Sequence, residues 1–208
     1  MKIVFISDTH SAHRELELPK GDVLVFAGDM CVSHTGASDE ELVKQVRDFD
    51  SWLGELDYER KICIAGNHDK VFEKSLVTTL SNGIYLEDEY YEYKGVKFYG
   101  SPWTPHFYGA FNTDEESLEE RYNDIEDVDV LITHGPPFGV LDSPYKGDHS
   151  GSHALRIAVD RIKPKVHVFG HIHGDYGNEV HSGTQFFNAS MAGRSHTEMV
   201  NEPWKYEV

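Results

Sequence analysis

Aspartate, asparagine and histidine recur in this chain just past the ends of short apolar runs. These residue types bind divalent metal ions through oxygen and nitrogen. Ile3–Ile6 leads into Asp8-Thr9-His10, and Val23–Ala27 into Gly28-Asp29. Ile62–Ala65 leads into Gly66-Asn67-His68-Asp69, Val128–Ile132 into Thr133-His134-Gly135, and Val166–Phe169 into Gly170-His171-Ile172-His173. Asp8 and His10 are one residue apart, as are His171 and His173. On extended backbone, side chains two positions apart point the same way, so each pair is expected to reach one cation. Asp29, Asn67 and His134 add a donor each from other runs. The set contains no thiolate, which favours manganese, iron, cobalt, nickel or zinc over calcium. Donors at seven positions (Asp8, His10, Asp29, Asn67, His134, His171 and His173) exceed the four of a structural zinc site. They suit two ions sharing a bridging carboxylate, and such a pair acidifies the water between them.

The elements that must position these residues follow from the same runs. A short run of consecutive apolar residues reads as a strand buried on both faces, the pattern of parallel sheets. Ligands of open α/β sheets bind at the carboxyl ends of such strands, so five strand ends bearing these donors describe one site. Strands are expected at about 2–7 and 22–27. A helix is expected from Ser38 to Leu56, with Ser38 and Glu41 forming a capping box and Leu42, Val46, Phe49 and Leu53 at helical spacing. A short helix follows the Ile62–Ala65 strand and runs through Leu76. Tyr85, Tyr90, Tyr91, Tyr93, Phe98 and Tyr99 flank Lys94-Gly95, which reads as an antiparallel hairpin of half-buried sheet. Asp114 to Asn123 reads as an exposed acidic helix. Ser152 caps a helix through Ile162, stopped by Pro164. Two strands flank Ser182-Gly183, and the last dozen residues, with Met199, Trp204 and Tyr206, form a docked strand or arm.

Composition sets the bounds. The chain has 208 residues, of which 39% are apolar, enough for the core of one domain covering 1–208. Its 19 basic and 36 acidic residues give a net charge of −17, which argues against extended nucleic acid. A small phosphate ester held by bound cations is compatible with that charge. The two cysteines, Cys31 and Cys63, make no disulfide framework and read as structural. Met1-Lys2-Ile3-Val4-Phe5-Ile6 leads straight into a strand, so no signal peptide is expected, nor is a membrane span, and the simplest compartment is the cytoplasm.

In order, Asp8-x-His10, Gly28-Asp29, Gly66-Asn67-His68-Asp69, His134-Gly135 and Gly170-His171-x-His173 resemble the five motifs of the calcineurin-like metallophosphoesterases, across residues 6–173. Ser7-Asp8-Thr9-His10-Ser11, His134-Gly135-Pro136-Pro137 with Leu141-Asp142, His167 to His173 with Tyr176-Gly177, and Phe187-Asn188-Ala189-Ser190 resemble the MPPED-type phosphodiesterases, which include enzymes that cleave cyclic nucleotides. The resemblance implies an α/β fold of two packed mixed β-sheets flanked by helices. It implies one metal on Asp8, His10 and His173, another on Asn67, His134 and His171, and Asp29 bridging them. The ions would be divalent transition metals, manganese first, with iron, zinc, nickel or cobalt as the others. His68 would face the substrate without binding metal, and His68, Asn67 and Asp29 would carry catalysis. The reaction expected is in-line attack on phosphorus by a hydroxide shared between the ions, with His68 stabilising charge or protonating the leaving oxygen. The Asp-Arg-Gly stretch of the protein phosphatases is missing, since Met30 to Gly36 stands in its place, and no group that orients His68 is identified.

Other candidates lie in loops. His34 is a candidate substrate contact, Trp103 and His106 are candidates to wall a base pocket, and His149 and His153 flank a helix N-terminus that could meet phosphate. His13, His106, His167, His181 and His196 otherwise read as surface or structural. The leading expectation is a phosphodiesterase of small esters. A phosphomonoesterase, a nuclease and a non-catalytic metal-binding scaffold are the alternatives.

Overall fold

The structure is a computed structural model that describes residues 1–33, 36–145, 147–194 and 198–208. One sheet has the order β13 (Trp204–Glu207), β1 (Lys2–Ile6), β2 (Val23–Ala27), β3 (Arg60–Ile64) and β4 (Ile84–Tyr85). The other has the order β11 (Gly177–His181), β12 (Thr184–Asn188), β10 (Val166–Phe169), β9 (Val130–Thr133), β6 (Val96–Ser101) and β5 (Glu89–Tyr93). A short parallel pair, β7 (Thr104–Pro105) and β8 (Asn112–Thr113), stands apart. Strands β1, β2 and β3 pair in parallel, as do β9 and β10, so their carboxyl ends point to one edge within each sheet.

The apolar runs are continuous because both faces of these strands are covered. Ile3 and Phe5 of β1 and Val23, Val25 and Ala27 of β2 pack between the sheets, with Val130, Ile132, Val166 and Val168 opposite. The alternate residues Val4, Ile6, Leu24 and Phe26 face outward against Leu42, Val46, Phe49 and Leu53 of α1 (Asp39–Glu55). On the far side, Leu131 and Phe169 meet Leu118 and Tyr122 of α3 (Glu115–Asn123) and Leu155 and Val159 of α4 (His153–Ile162). The layers are therefore helix, sheet, sheet, helix, as expected.

The local signals are met in most places. The Ser38 and Glu41 capping box forms both of its bonds. Strands β5 and β6 are antiparallel about Lys94-Gly95, and β11 and β12 about Ser182-Gly183. Strand β13 docks antiparallel on β1, and Trp204 Nε1 donates to Asn188 O of the other sheet at 3.0 Å. Helix α2 (Lys70–Glu73) stops short of Leu76 because Ser75 takes a left-handed conformation (φ 55°). Helix α3 is acidic but buries Leu118 and Tyr122. Both cysteines are free and buried. Among the described residues, no helix is long and apolar enough to cross a membrane.

His167 is fully buried in β10. Thr133 Oγ1 donates to the Gly135 carbonyl at 2.7 Å, so His167 Nε2, 2.8 Å from that hydroxyl, must be the donor between them. Nδ1 is then bare and has no hydrogen-bond partner. A second proton would sit there unsolvated, and burial accordingly lowers the pKa from 6.5 to about 3. The unfolded chain takes up that proton below pH 6.5 while the folded chain does not, so stability falls as pH drops from 6.5 toward 3. Denaturant titrations between pH 6.5 and 4 are expected to show a shallower acid slope in His167→Phe, by up to ~1.4 kcal/mol per pH unit.

Candidate metal centre

All five candidate segments meet at one edge of the sandwich, but two of them arrive differently from the expectation. Asp8 and His10 are not on extended backbone: both are left-handed, with φ 53° and 42°. The chain leaves β1 in a turn laced to the loop after β2, through Asp8 N to Gly28 O (2.9 Å), His10 N to Asp29 O (3.1 Å) and Ser11 N to Met30 O (2.9 Å). His171 is also left-handed (φ 65°), and His173 opens a short 3-10 turn. Alternation along a strand therefore does not bring these pairs together. Hydrogen bonds between loops do. Gly170 shows how close the approach is, since a Cβ there would collide with Asp8 Oδ2.

The imidazoles are oriented by backbone carbonyls, which can only accept. His10 Nδ1 faces Cys31 O (3.2 Å), His134 Nδ1 faces Ala27 O (2.9 Å) and His173 Nδ1 faces Gly193 O (3.2 Å). Each ring keeps its proton there and turns a bare Nε2 inward. These lone pairs meet other acceptors. His10 Nε2 lies 3.3 Å from His173 Nε2, which lies 3.1 Å from Asp8 Oδ1. His134 Nε2 is 2.9 Å from Asn67 Oδ1 and 3.4 Å from Asp29 Oδ2. His171 Nδ1 is also 2.9 Å from Asn67 Oδ1, while the buried Asn67 Nδ2 has no partner. With neutral rings these contacts set acceptor against acceptor, a repulsion that a shared proton or a bound cation relieves. The donor set thus fits cations, and the ligand atoms of Asp8, His10 and His173, and of Asp8, Asp29 and His134, lie within 4.8 Å of one another.

Electrostatics point the same way. Among the described residues, the ion-pair partners of Asp8 and Asp29 are all histidines. Burial pushes the Asp8 carboxyl up, but His173 and His134 together hold it well below the carboxylate range. Burial disfavours charge on His134, yet Asp29, with Asp8 and the Ala27 carbonyl, lifts the pKa to about 9. That attraction serves a metal ion at Nε2 as well as a proton.

His68 sits at the floor of the same site, away from the donors around Asn67, though its ligand atom and those of His10 and Asp29 lie within 4.8 Å of one another. Its Nδ1 accepts from Ser33 N at 3.2 Å, with Ser33 Oγ 3.1 Å away, so the neutral ring carries its proton on Nε2, 4.0 Å from Asp29 Oδ2. Ser33 is thus the group that orients His68, and the Met30 to Gly36 segment supplies it in place of Asp-Arg-Gly. Asp69 is the second residue whose part is visible only in three dimensions. Its buried carboxylate accepts from Asp29 N (2.9 Å), Met30 N (3.3 Å), Cys31 N (2.9 Å) and Gly66 N (2.8 Å). It ties the loop after β2 to the loop after β3. The sequence signal for it is its place at the end of the Asn67-His68 motif.

A cavity of about 440 Å³ opens over this floor. Asp29, Asn67, His68, His171 and His173 face it, with His106 and Phe107 on one wall and Tyr145, Ser150 and Arg194 on another. His106 lines it as expected, but Trp103 does not: its ring is held against Arg121 (3.8 Å) and Phe111 (5.4 Å). The α4 N-terminus is not open to phosphate either, because Glu115 accepts from Ala154 N (2.8 Å) and His153 N (3.2 Å). His153 stacks on Phe138, and His149 pairs with Asp142 at 2.7 Å. His34 and His196 lie outside the described residues.

Two layers of mixed sheet with a histidine- and carboxylate-lined centre at the strand ends define a class of metal-dependent hydrolases. A family model described as calcineurin-like phosphoesterase matches residues 1–175. The chain is 38% identical to the human "Metallophosphoesterase domain-containing protein 1", over 97% of this chain and 69% of that protein. It is 33% identical to the Caenorhabditis elegans "UPF0046 protein T07D4.2", over 100% of this chain and 60% of that protein. Among solved structures, the phosphopantetheinyl hydrolase of Mycobacterium tuberculosis superposes with a TM-score of 0.58 at 15% identity, covering 94% of this chain and 90% of that one. The chain belongs to the calcineurin-like phosphoesterases. Members of that family bind two divalent metal ions, and the clusters above could hold them.

Asp69→Asn is expected to lower stability by about 2 kcal/mol, because its amide turns a donor toward backbone N–H groups that need an acceptor. It should also weaken manganese binding. Denaturant unfolding and calorimetric titration with Mn²⁺ measure the two effects.

Proposed function

We propose that this chain is a phosphodiesterase acting on small phosphodiesters such as cyclic nucleotides, with two divalent cations, manganese first. Asp8, His10 and His173 would hold one ion, Asn67, His134 and His171 the other, and Asp29 both. The observation that carries this reading is the convergence of bare ring nitrogens and carboxylate oxygens beside a neutral His68, under one open cavity. The reading takes residues 1–208 as a single domain, which the docking of β13 on β1 supports.

When bound, the two ions would polarise the phosphate and acidify water at the site. The protein's own groups do the rest. The carbonyls of Ala27, Cys31 and Gly193 keep ring protons away from the centre. Asp69 holds the Asp29 loop in place, so little reorganisation is needed when charge develops. His68 donates from Nε2 to the oxygen that gains charge as the P–O bond breaks, and Ser33 keeps the proton on that nitrogen. The exposed rings of Phe107 and Tyr145 on the cavity rim offer faces on which a base can stack. The net charge of −17 keeps polymeric phosphates away, while an ester of cavity size can reach the floor.

Protein loaded with Mn²⁺ is expected to cleave bis-p-nitrophenyl phosphate faster than p-nitrophenyl phosphate. The opposite order would make it a monoesterase, and cleavage of neither would make it a scaffold. His68→Ala should keep its metal and lose about 10²–10⁴-fold in turnover. Asp29→Ala and Asn67→Ala should lose metal in titration. Unchanged turnover in His68→Ala would remove the role assigned to that ring.

A further inference from the structure

Arg194 is the one arginine or lysine among the described residues that line the cavity. The chain has almost twice as many acidic as basic residues, and its arginines are mostly engaged. Arg14 pairs with Asp48 and Glu55, Arg121 with Asp88 and Arg156 with Asp160, while Arg161 donates to the carbonyls of Tyr122 and Ile125. Arg194 makes no such pair among the described residues. Its guanidinium stands 6.0 Å from the centre of the exposed Tyr145 ring. It also lies over Gly174, the residue after His173, where a Cβ would come within 2.9 Å of Arg194 Nε and 3.1 Å of Pro144 O. The turn beside the candidate metal centre is thus bare, and an unpaired planar cation fills the space above it. Five N–H donors in a rigid fork match the oxygens of a phosphate.

We propose that Arg194 is a substrate-binding residue that donates to the non-bridging oxygens of the phosphate ester, with Tyr145 beside its guanidinium. This rests on the proposed function, which makes the anion at this centre a phosphate. The non-bridging oxygens carry charge before and during the reaction, so Arg194 acts on binding more than on turnover. Its partner is the phosphate itself, so it reads the anion whatever group the ester carries.

The test is calorimetric titration of inorganic phosphate into Mn²⁺-loaded protein. Arg194→Gln is expected to weaken phosphate binding about tenfold, with manganese stoichiometry and unfolding temperature unchanged. Arg194→Lys, which keeps the charge but loses the fork, should weaken it less. With bis-p-nitrophenyl phosphate, Arg194→Gln should raise KM about tenfold and change kcat by less than about twofold. Unchanged phosphate affinity overturns the proposal, and so does weakening accompanied by loss of manganese, which would mark a structural role. If the wild-type protein binds phosphate but cleaves neither ester, the proposed function fails while the titration still decides the part played by Arg194.

Discussion

The structure turns on an electrostatic conflict among buried side chains at the floor of an open cavity. Three backbone carbonyls each fix one imidazole proton on the outer ring nitrogen, which leaves bare nitrogens aimed at carboxylate and amide oxygens about 3 Å away. Buried acceptors facing acceptors raise the energy of the folded state unless positive charge lies between them. Other histidines in the chain show the contrast. His149 and His181 pair with carboxylates at the surface, and buried His167 finds a hydroxyl. At the strand ends the fold instead gathers several ring nitrogens against carboxylate and amide oxygens at one place.

That geometry depends on two sheets at once. Asp8, His10, Asp29 and Asn67 follow β1, β2 and β3, whereas His134, His171 and His173 follow β9 and β10. The apolar layer between the sheets sets their separation, and the loops cross the gap at its edge: His171 N donates to Asp8 Oδ2 at 3.0 Å, and His134 Nδ1 faces Ala27 O. Tight packing keeps such distances from drifting, so the core and the site are one construction.

Much of this is legible in the sequence, because apolar runs ending in donor residues report both the strand and its functional end. The runs are short and unbroken where both strand faces are covered, and helix caps and Gly-containing turns mark the boundaries of the elements locally. The rest is carried by contacts between segments far apart in the chain. Asp8 and His10 read as an extended pair, but the loop after β2 bends them into left-handed turns. Ser33 is an ordinary serine until His68 is brought against its amide. Glu115 occupies the α4 N-terminus, which sequence spacing leaves open, because α3 packs alongside it. Trp103 reads as a pocket wall, yet Arg121 and Phe111 hold its ring away from the cavity.

The division of donors between the two sheets has a mechanical consequence. Ions bridging Asp8 and Asn67 to His173 and His134 would act as a rivet across the sandwich, so the apo protein would be free to open there first. Ligand binding to the folded form alone adds ~2.7 kcal/mol of stability at a concentration a hundred times the dissociation constant. Chelation would therefore do more than silence a reaction: it would loosen the seam where the two halves of the molecule meet.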